Sequence, residues 1–388
     1  MRIFISTGEV SGDLQGSLLI TALKRQAVAI GLELEIVALG GEKMVEAGAI
    51  LLGNTSSIGS VGIQEGLPYI LPTLQLQRRA IASLKQDPPD LVVLIDYMSP
   101  NIKIGTYMKQ HLPDVPVVYY IAPQEWAWSV NFRRTNKIVG FTDKLLAIFP
   151  QEARYFQEQG AKVIWVGHPL VDGMQDAPSR QAARATLGIA PEQIAIALLP
   201  ASRHQELKYL LPIIFQAAQT IQAKLPEVHF WIPLSLEAYR QPIEQAVERY
   251  GLRATVVLGQ QKEIFAAADL AISKSGTVNL ELALLNVPQV VVYRLSSLTA
   301  WIARKILKGS LTFASPPNLV VMKPIVPEFL QEQATPENII QAAMELLLNP
   351  SRREQTLLDY EEMRQSLGEV GVCDRAAQEI LQMLPNNS

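Results

Sequence analysis

The chain has 388 residues, too many for one ordinary core and suited to two domains of roughly 150–200 residues each. Apolar residues make up 48% and charged residues 18%, which describes a globular protein and excludes a disordered one. A formal charge of −3 supplies no positive field to gather a polynucleotide, so nucleic acid is excluded as a partner and an anionic ligand must be met by local clusters.

The single cysteine, Cys373, cannot close an internal disulfide, and His111, His168, His204 and His229 show no metal-ligand spacing. No metal and no cofactor is expected. Met1-Arg2 leads straight into an apolar strand pattern without a signal peptide's long apolar stretch and cleavage site, and no run of about 18 apolar residues marks a membrane span. The expected location is the cytoplasm, with contact to the inner face of the cell membrane.

Short apolar, β-branched runs at Arg2–Thr7, Glu35–Leu39, Leu91–Asp96, Val117–Ile121, Lys144–Ala147 and Lys162–Val166 alternate with helical stretches. That alternation predicts βα units around a parallel sheet. The first run ends in Thr7-Gly8-Glu9-Val10-Ser11-Gly12-Asp13-Leu14-Gln15-Gly16. Glycines allow a tight turn and close ligand approach, and amides at a helix start can meet an anion. The spacing is not that of the dinucleotide fingerprint, and a plain turn with Ser11 or Asp13 as N-cap explains it equally well.

Asp96 ends the run Leu91-Val92-Val93-Leu94-Ile95. Ligands of open parallel sheets bind beyond such ends, so Asp96 is the candidate base for activating a sugar hydroxyl. A turn aspartate bonding its own backbone is the alternative. Ile121-Ala122-Pro123-Gln124-Glu125-Trp126-Ala127-Trp128 follows the next strand, with Arg133, Arg134 and Lys137 after it. The tryptophans suit a sugar or acyl pocket, or a core edge, and the basic group suits an acceptor phosphate or a solvated helix face.

The pattern lapses from Gly167-His168-Pro169 to Ser179 and resumes at Ile194–Leu199, with further runs at His229–Ile232, Thr255–Leu258, Leu270–Ser273 and Gln289–Tyr293. The fold class read from this is α/β, two Rossmann-like domains facing a cleft, with residues after Glu337 forming carboxy-terminal helices that pack back on the first domain. The expected boundaries are 1–168, 169–350 and 351–388.

Leu199-Pro200-Ala201-Ser202-Arg203-His204-Gln205-Glu206 offers Arg203 to pair with a departing diphosphate, or else to bridge Glu206 on the surface. Ser273-Lys274-Ser275-Gly276-Thr277-Val278-Asn279-Leu280-Glu281 places a small-residue turn between strand and helix. Its amides and the Ser275 and Thr277 hydroxyls form an anion cradle, and Glu281, one helical turn further in, can accept from both ribose hydroxyls. A capping box fits poorly, because Thr277 is three residues from Leu280 and not from Glu281. The apolar stretch 58–76 and the basic, amphipathic 301–308 suit anionic lipid or ordinary helix packing.

From residue 2 to about 335 the chain resembles the lipid-A-disaccharide synthase family. The resemblance is carried in order by Gly8-Glu9-Val10-Ser11-Gly12-Asp13, Ile95-Asp96, Pro123-Gln124-Glu125-Trp126-Ala127-Trp128, Val166-Gly167-His168-Pro169-Leu170, Leu199-Pro200 with Ser202-Arg203, Ser275-Gly276-Thr277 with Leu280-Glu281, and Pro317-Asn318-Leu319. It implies the GT-B fold and inverting transfer of 2,3-diacylglucosamine from UDP to the 6-hydroxyl of 2,3-diacylglucosamine 1-phosphate, without metal. It further implies Asp96 as base or acceptor-orienting group, Arg203 and Ser202 at the diphosphate, and the Ser275 to Glu281 segment around UDP. Gly8, Glu9, Ser11, Gly12, Asp13, Gln124, Trp126 and Asn318 fall to the acceptor and sugar. Family members are peripheral membrane proteins, and some are homodimers through the carboxy-terminal region.

The chain departs from the family pattern at Ser99, where a second aspartate is usual, and at Ala201, Ala122, Ser129 and Asn279. These departures leave open a different acceptor lipid. Two rivals remain: a UDP-N-acetylglucosamine 2-epimerase, whose acid–base pattern is not found, and a sugar-nucleotide-binding protein without catalysis.

Overall fold

The computed structural model describes residues 1–55, 70–127, 132–201, 204–296 and 313–385. The chain forms two compact units, Met1–Gly173 with Ser366–Ser388, and Met174–Gln365.

In the first unit, β1 (Arg2–Ser6), β2 (Glu35–Gly40), β3 (Ile50–Asn54), β4 (Leu91–Ile95), β5 (Val117–Tyr120), β6 (Lys144–Ala147) and β7 (Val163–Trp165) make a parallel sheet in the order β3-β2-β1-β4-β5-β6-β7. All five residues of β4 are buried, as the unbroken apolar run of a central parallel strand requires. The strand order reverses between β1 and β4, and their carboxyl ends therefore flank the switch point where ligands of such sheets bind.

The second unit repeats the plan with β8 (Ile194–Leu199), β9 (Val228–Leu234), β10 (Ala254–Leu258), β11 (Leu270–Lys274), β12 (Gln289–Tyr293) and β13 (Glu328–Leu330), ordered β10-β9-β8-β11-β12-β13. Its switch point lies between β8 and β11. The two strands the sequence reading lacks, β3 and β13, are both sheet edges and only half-buried, so neither carries a continuous apolar run.

Glu152 joins two loops of the first unit. Its carboxylate is fully buried and accepts from the backbone N–H of Ala122 (2.8 Å), beyond β5, and of Ile148 (2.8 Å) and Phe149 (3.2 Å), beyond β6. Burial pushes its pKa up to about 7 against the pull of those three donors.

The Val166-to-Leu170 motif fastens the carboxy terminus. The His168 amide donates to the Leu367 carbonyl at 2.7 Å, and Arg375 donates to the Val166 carbonyl through Nε (3.1 Å) and Nη2 (2.9 Å). A Cβ on Gly167, whose φ is 93°, would come within 2.8 Å of that same Leu367 oxygen. His168 is buried and neutral, its pKa pushed down to about 3 by burial, and its Nδ1 accepts from the Leu170 amide at 3.2 Å. Asp172 then accepts from the amides of Gly371 (2.7 Å), Val372 (3.2 Å) and Cys373 (2.7 Å), capping the helix Val372–Leu381, which packs on Glu9–Ala29.

Only the last helix returns to the first unit. Residues 351–365, expected to return with it, stay with the second: Tyr360 is buried there and donates to the Val287 carbonyl at 3.2 Å, and Arg353 donates to the Asp269 carbonyl at 3.0 Å. The first boundary likewise falls after Gly173, not after His168. Among the described residues no helix is long and apolar enough to cross a membrane.

Asp172→Ala removes a three-donor cap. It is expected to cost about 1–2 kcal/mol of stability and to speed hydrogen exchange at Gly371–Cys373, checked by denaturant melts and exchange mass spectrometry. Glu152, with a folded pKa raised from 4.5 to about 7, contributes stability that is full below the lower value and lost as pH rises through the higher. In Glu152→Gln the fall in unfolding free energy between pH 5 and 8 should therefore shrink, by at most roughly 2–3 kcal/mol. An undiminished fall would show that Glu152 does not titrate in this window.

Candidate active site

Four of the eight non-glycine residues with positive φ among those described lie at the carboxyl ends of β1, β4 and β5: Glu9 (63°), Asp96 (43°), Tyr97 (45°) and Ile121 (61°). Left-handed backbone is costly for such residues, most of all for β-branched isoleucine, and survives where the surroundings over-determine it. Here the Asp96 amide donates to the Ile121 carbonyl (2.9 Å) and the Ile121 amide to the Leu146 carbonyl (3.2 Å). The Asp96 carbonyl accepts from Tyr119 Oη at 2.8 Å and Asn101 Nδ2 at 2.9 Å.

Asp96 is open to solvent at its surface, yet protein surrounds it closely enough that desolvation dominates its titration. That crowding, with the Glu9 carboxylate adding repulsion, pushes its pKa up to about 7, and the Tyr97 N–H pulls the other way. Water access tempers the push without changing its sign. A carboxyl that loses its proton near neutrality and faces water can serve as a base at working pH.

The glycine-rich loop divides into contacts and supports. Tyr97 lies against Gly8, where a Cβ would come 2.2 Å from the ring, and Gly12 packs on the Thr7 hydroxyl. Glu9 is half-buried beside Asp96, and Ser11 is half-exposed in the first turn of the helix. Asp13 is a correction. Its buried carboxylate accepts from the amides of Gly41 (2.9 Å), Lys43 (3.2 Å) and Met44 (3.1 Å), so it organises the next helix start, neither meeting a sugar nor capping its own helix. That N-cap is Gly8.

Gln124 is exposed in the 3₁₀ turn Gln124–Trp126 after β5. Trp126 is half-buried with its ring 5.7 Å from that of Phe149, which favours the core-edge reading. Arg134 pairs with Glu125 at 3.6 Å, and burial raises that carboxyl's pKa against the arginine's pull. Trp128 and Ser129 lie outside the described residues.

In the second unit, Ser202 and Arg203 also lie outside the described residues. Beyond β11, Ser275, Gly276 and Thr277 form one half-exposed turn, with Glu281 half-buried a helical turn on. The cradle is narrower than expected: the Ser275 hydroxyl donates to the Ala314 carbonyl at 2.7 Å, and the Gly276 amide donates to Asn279 Oδ1 at 2.8 Å. Asn318 is a second correction. It is fully buried, exchanges hydrogen bonds with the Val326 backbone (3.0 and 2.9 Å) and donates to Glu328 at 3.1 Å, leaving no group for a sugar.

Sequence reasoning missed the polar residues beneath these turns. Asn101, fully buried, donates also to the carbonyls of Ile95 (3.0 Å) and Ser6 (3.2 Å) and accepts from the Ser6 hydroxyl at 2.7 Å. Asn279, equally buried, donates to Ser273 Oγ (2.7 Å) and Gln289 Oε1 (2.9 Å). The one signal was an asparagine in the first turns of a helix that follows a buried strand. Among the described residues no group of three His, Cys, Asp or Glu gathers to hold a metal.

The sequence profile of the lipid-A-disaccharide synthetase family matches residues 3–383. A lipid-A-disaccharide synthase of Gloeothece citriformis is 62% identical over 98% of this chain and 99% of its own length. One from Synechocystis is 56% identical over 98% of both. Among solved structures, UDP-GlcNAc 2-epimerase from Neisseria meningitidis covers 98% of this chain and 100% of its own with a TM-score of 0.68, at only 13% identity. That likeness carries the fold, a GT-B-type pair of parallel-sheet domains, and not the epimerase chemistry. Matched along nearly its whole length by the profile and by relatives of this identity, the chain belongs to the lipid-A-disaccharide synthetase family.

Proposed function

We propose that this chain transfers 2,3-diacylglucosamine from its UDP carrier to the 6-hydroxyl of 2,3-diacylglucosamine 1-phosphate, releasing UDP and forming a β-1,6 disaccharide. The observation that carries the reading is family membership over the full length, and the seat of Asp96 supplies its chemistry. Asp96 takes the proton from the acceptor hydroxyl as the oxygen attacks the anomeric carbon from the face opposite UDP. The bond from that carbon to the diphosphate oxygen breaks, and the configuration inverts.

The departing negative charge is met by Arg203 with Ser202 and by the turn Ser275–Thr277, while Glu281 accepts from the ribose hydroxyls. Gly8, Glu9, Ser11 and Gly12 lie on the acceptor side, with Gln124 and Trp126 at its margin. Because Ser99 replaces the family's second aspartate, the carboxylate acting on Asp96 is that of Glu9. Both substrates carry acyl chains, which supports peripheral contact with the cytoplasmic face of a membrane. A homodimer through the carboxy-terminal region is part of the same reading.

Incubation with UDP-diacylglucosamine and diacylglucosamine 1-phosphate is expected to release UDP and yield disaccharide; UDP release only with a different acceptor would move the substrate. Asp96→Asn should lower kcat by about 10²-fold or more with the Kd for UDP unchanged by calorimetry. Wild-type kcat/KM should fall as pH drops below about 7, where Asp96 gains its proton. Glu281→Ala should weaken UDP binding by about tenfold, and an unaltered Kd would remove it from the ribose.

A further inference from the structure

We propose that Tyr119 is a positioning residue for Asp96, acting with Asn101 through the Asp96 carbonyl to aim the carboxylate at the acceptor hydroxyl. The inference rests on the reading of Asp96 as proton acceptor and adds a residue that touches no substrate.

The geometry points to one peptide. Both lone pairs of the Asp96 carbonyl are taken, by Tyr119 Oη (2.8 Å) and Asn101 Nδ2 (2.9 Å). Tyr119 belongs to β5 and its ring is fully buried, 6.2 Å from Phe141, so the hydroxyl has a fixed origin. Asn101 is fixed in turn by the Ser6 hydroxyl and carbonyl at the end of β1 and by Ile95 of β4. Three neighbouring strands thus converge on the carbonyl that follows the Asp96 side chain.

A pair of consecutive left-handed non-glycine residues would relax if released. With the carbonyl drawn inward, the Cα–Cβ bond of Asp96 is turned outward, where its side chain meets water. The titratable groups acting on Asp96 are Glu9 from the helix after β1, Tyr119 from β5 and Glu152 behind the β5 loop, while Tyr97 acts through its backbone N–H. Tyr119 is held protonated by burial and by the Asp96 charge, so it remains a donor throughout the working range.

Tyr119→Phe deletes one donor and keeps the ring. With both lipid substrates in detergent micelles, kcat is expected to fall about tenfold while the two KM values, the Kd for UDP and the melting temperature stay near wild type. The acidic limb of kcat/KM should move to lower pH, because a loosened carboxylate swings toward water and away from Glu9. Tyr155→Phe, which deletes the 2.9 Å contact to Thr135 in the same unit, is the comparison and should change neither rate nor limb.

Wild-type kcat and an unmoved limb in Tyr119→Phe would overturn the proposal, as would equal losses in both variants. Should Tyr119→Phe not fold, Ser6→Ala loosens Asn101 and should shift kcat and limb in the same direction by a smaller amount; no shift there is equally fatal. Full activity in Asp96→Asn would remove the base reading and this inference with it. An inactive Asp96→Asn beside a normal Tyr119→Phe would remove the inference alone.

Discussion

The first domain depends on holding an aspartate in a backbone conformation it would not choose. Asp96 and Tyr97 turn left-handed at the end of the most buried strand of the sheet, and Glu9 and Ile121 do the same at the ends of its neighbours. Each departure costs about 1–3 kcal/mol. The cost is offset by hydrogen bonds that run from strand to strand: Asp96 to Ile121, Ile121 to Leu146, and Tyr119 and Asn101 to Asp96. Glu152 braces the far side of the same loops through Ala122 and Ile148. The seat of the Asp96 carboxylate and a rigid floor are therefore one construction. The bonds that tolerate the strained turn also limit where the side chain can point.

The second domain uses a related device at the matching place. β4 and β11 occupy the same position in their sheets, each beside the first strand of its unit. After each comes a fully buried asparagine that donates back to the end of the strand, Asn101 to the Ile95 carbonyl and Asn279 to that of Lys274 (3.3 Å). A buried amide left unpaired would cost more than its bonds return, so such residues persist where every group is engaged. Asn279 also holds the Gly276 amide and reaches Gln289, whose Nε2 donates to the Asn279 carbonyl at 2.8 Å. The turn assigned to UDP rests on this network as the Asp96 turn rests on its own. Asn279, a departure from the family pattern at this helix start, is in this chain the support of the loop.

Much of this was legible in order of residues. Nine of the eleven apolar runs are inner strands, which must be apolar on both faces, and the other two are the edge strands β7 and β10. The edge strands β3 and β13 were not legible, since β3 breaks off into Gly53-Asn54 and β13 is only three residues long. The place of Asp96 at the end of β4 was legible because it ends the clearest run. Asp13 and Asn318 were misread for a shared reason: a polar residue near a ligand loop either meets the ligand or satisfies the loop's own amides, and local sequence does not distinguish them. In both, the deciding donors lie elsewhere in the chain, Gly41 to Met44 for Asp13, Val326 for Asn318. The supports Tyr119 and Gln289 gave no local signal, because their partners are brought near only by sheet pairing; Glu152 bonds the nearby Ile148 and Phe149, and only its bond to Ala122 depends on the sheet.

A TM-score of 0.68 to an epimerase at 13% identity shows how little the shared scaffold says about the reaction. The reaction has to be argued from the side chains that stand at the carboxyl ends of this chain's own strands. Here the residue is Asp96 and the carboxylate acting on it is that of Glu9, while Ser99, in the first turn of the helix Met98–His111, is uncharged. The shift toward neutrality at Asp96 comes from burial first and from Glu9 second, with no contribution from position 99. The serine leaves Asp96 as the carboxylate at the end of β4, which is the group the proposed transfer needs as its base.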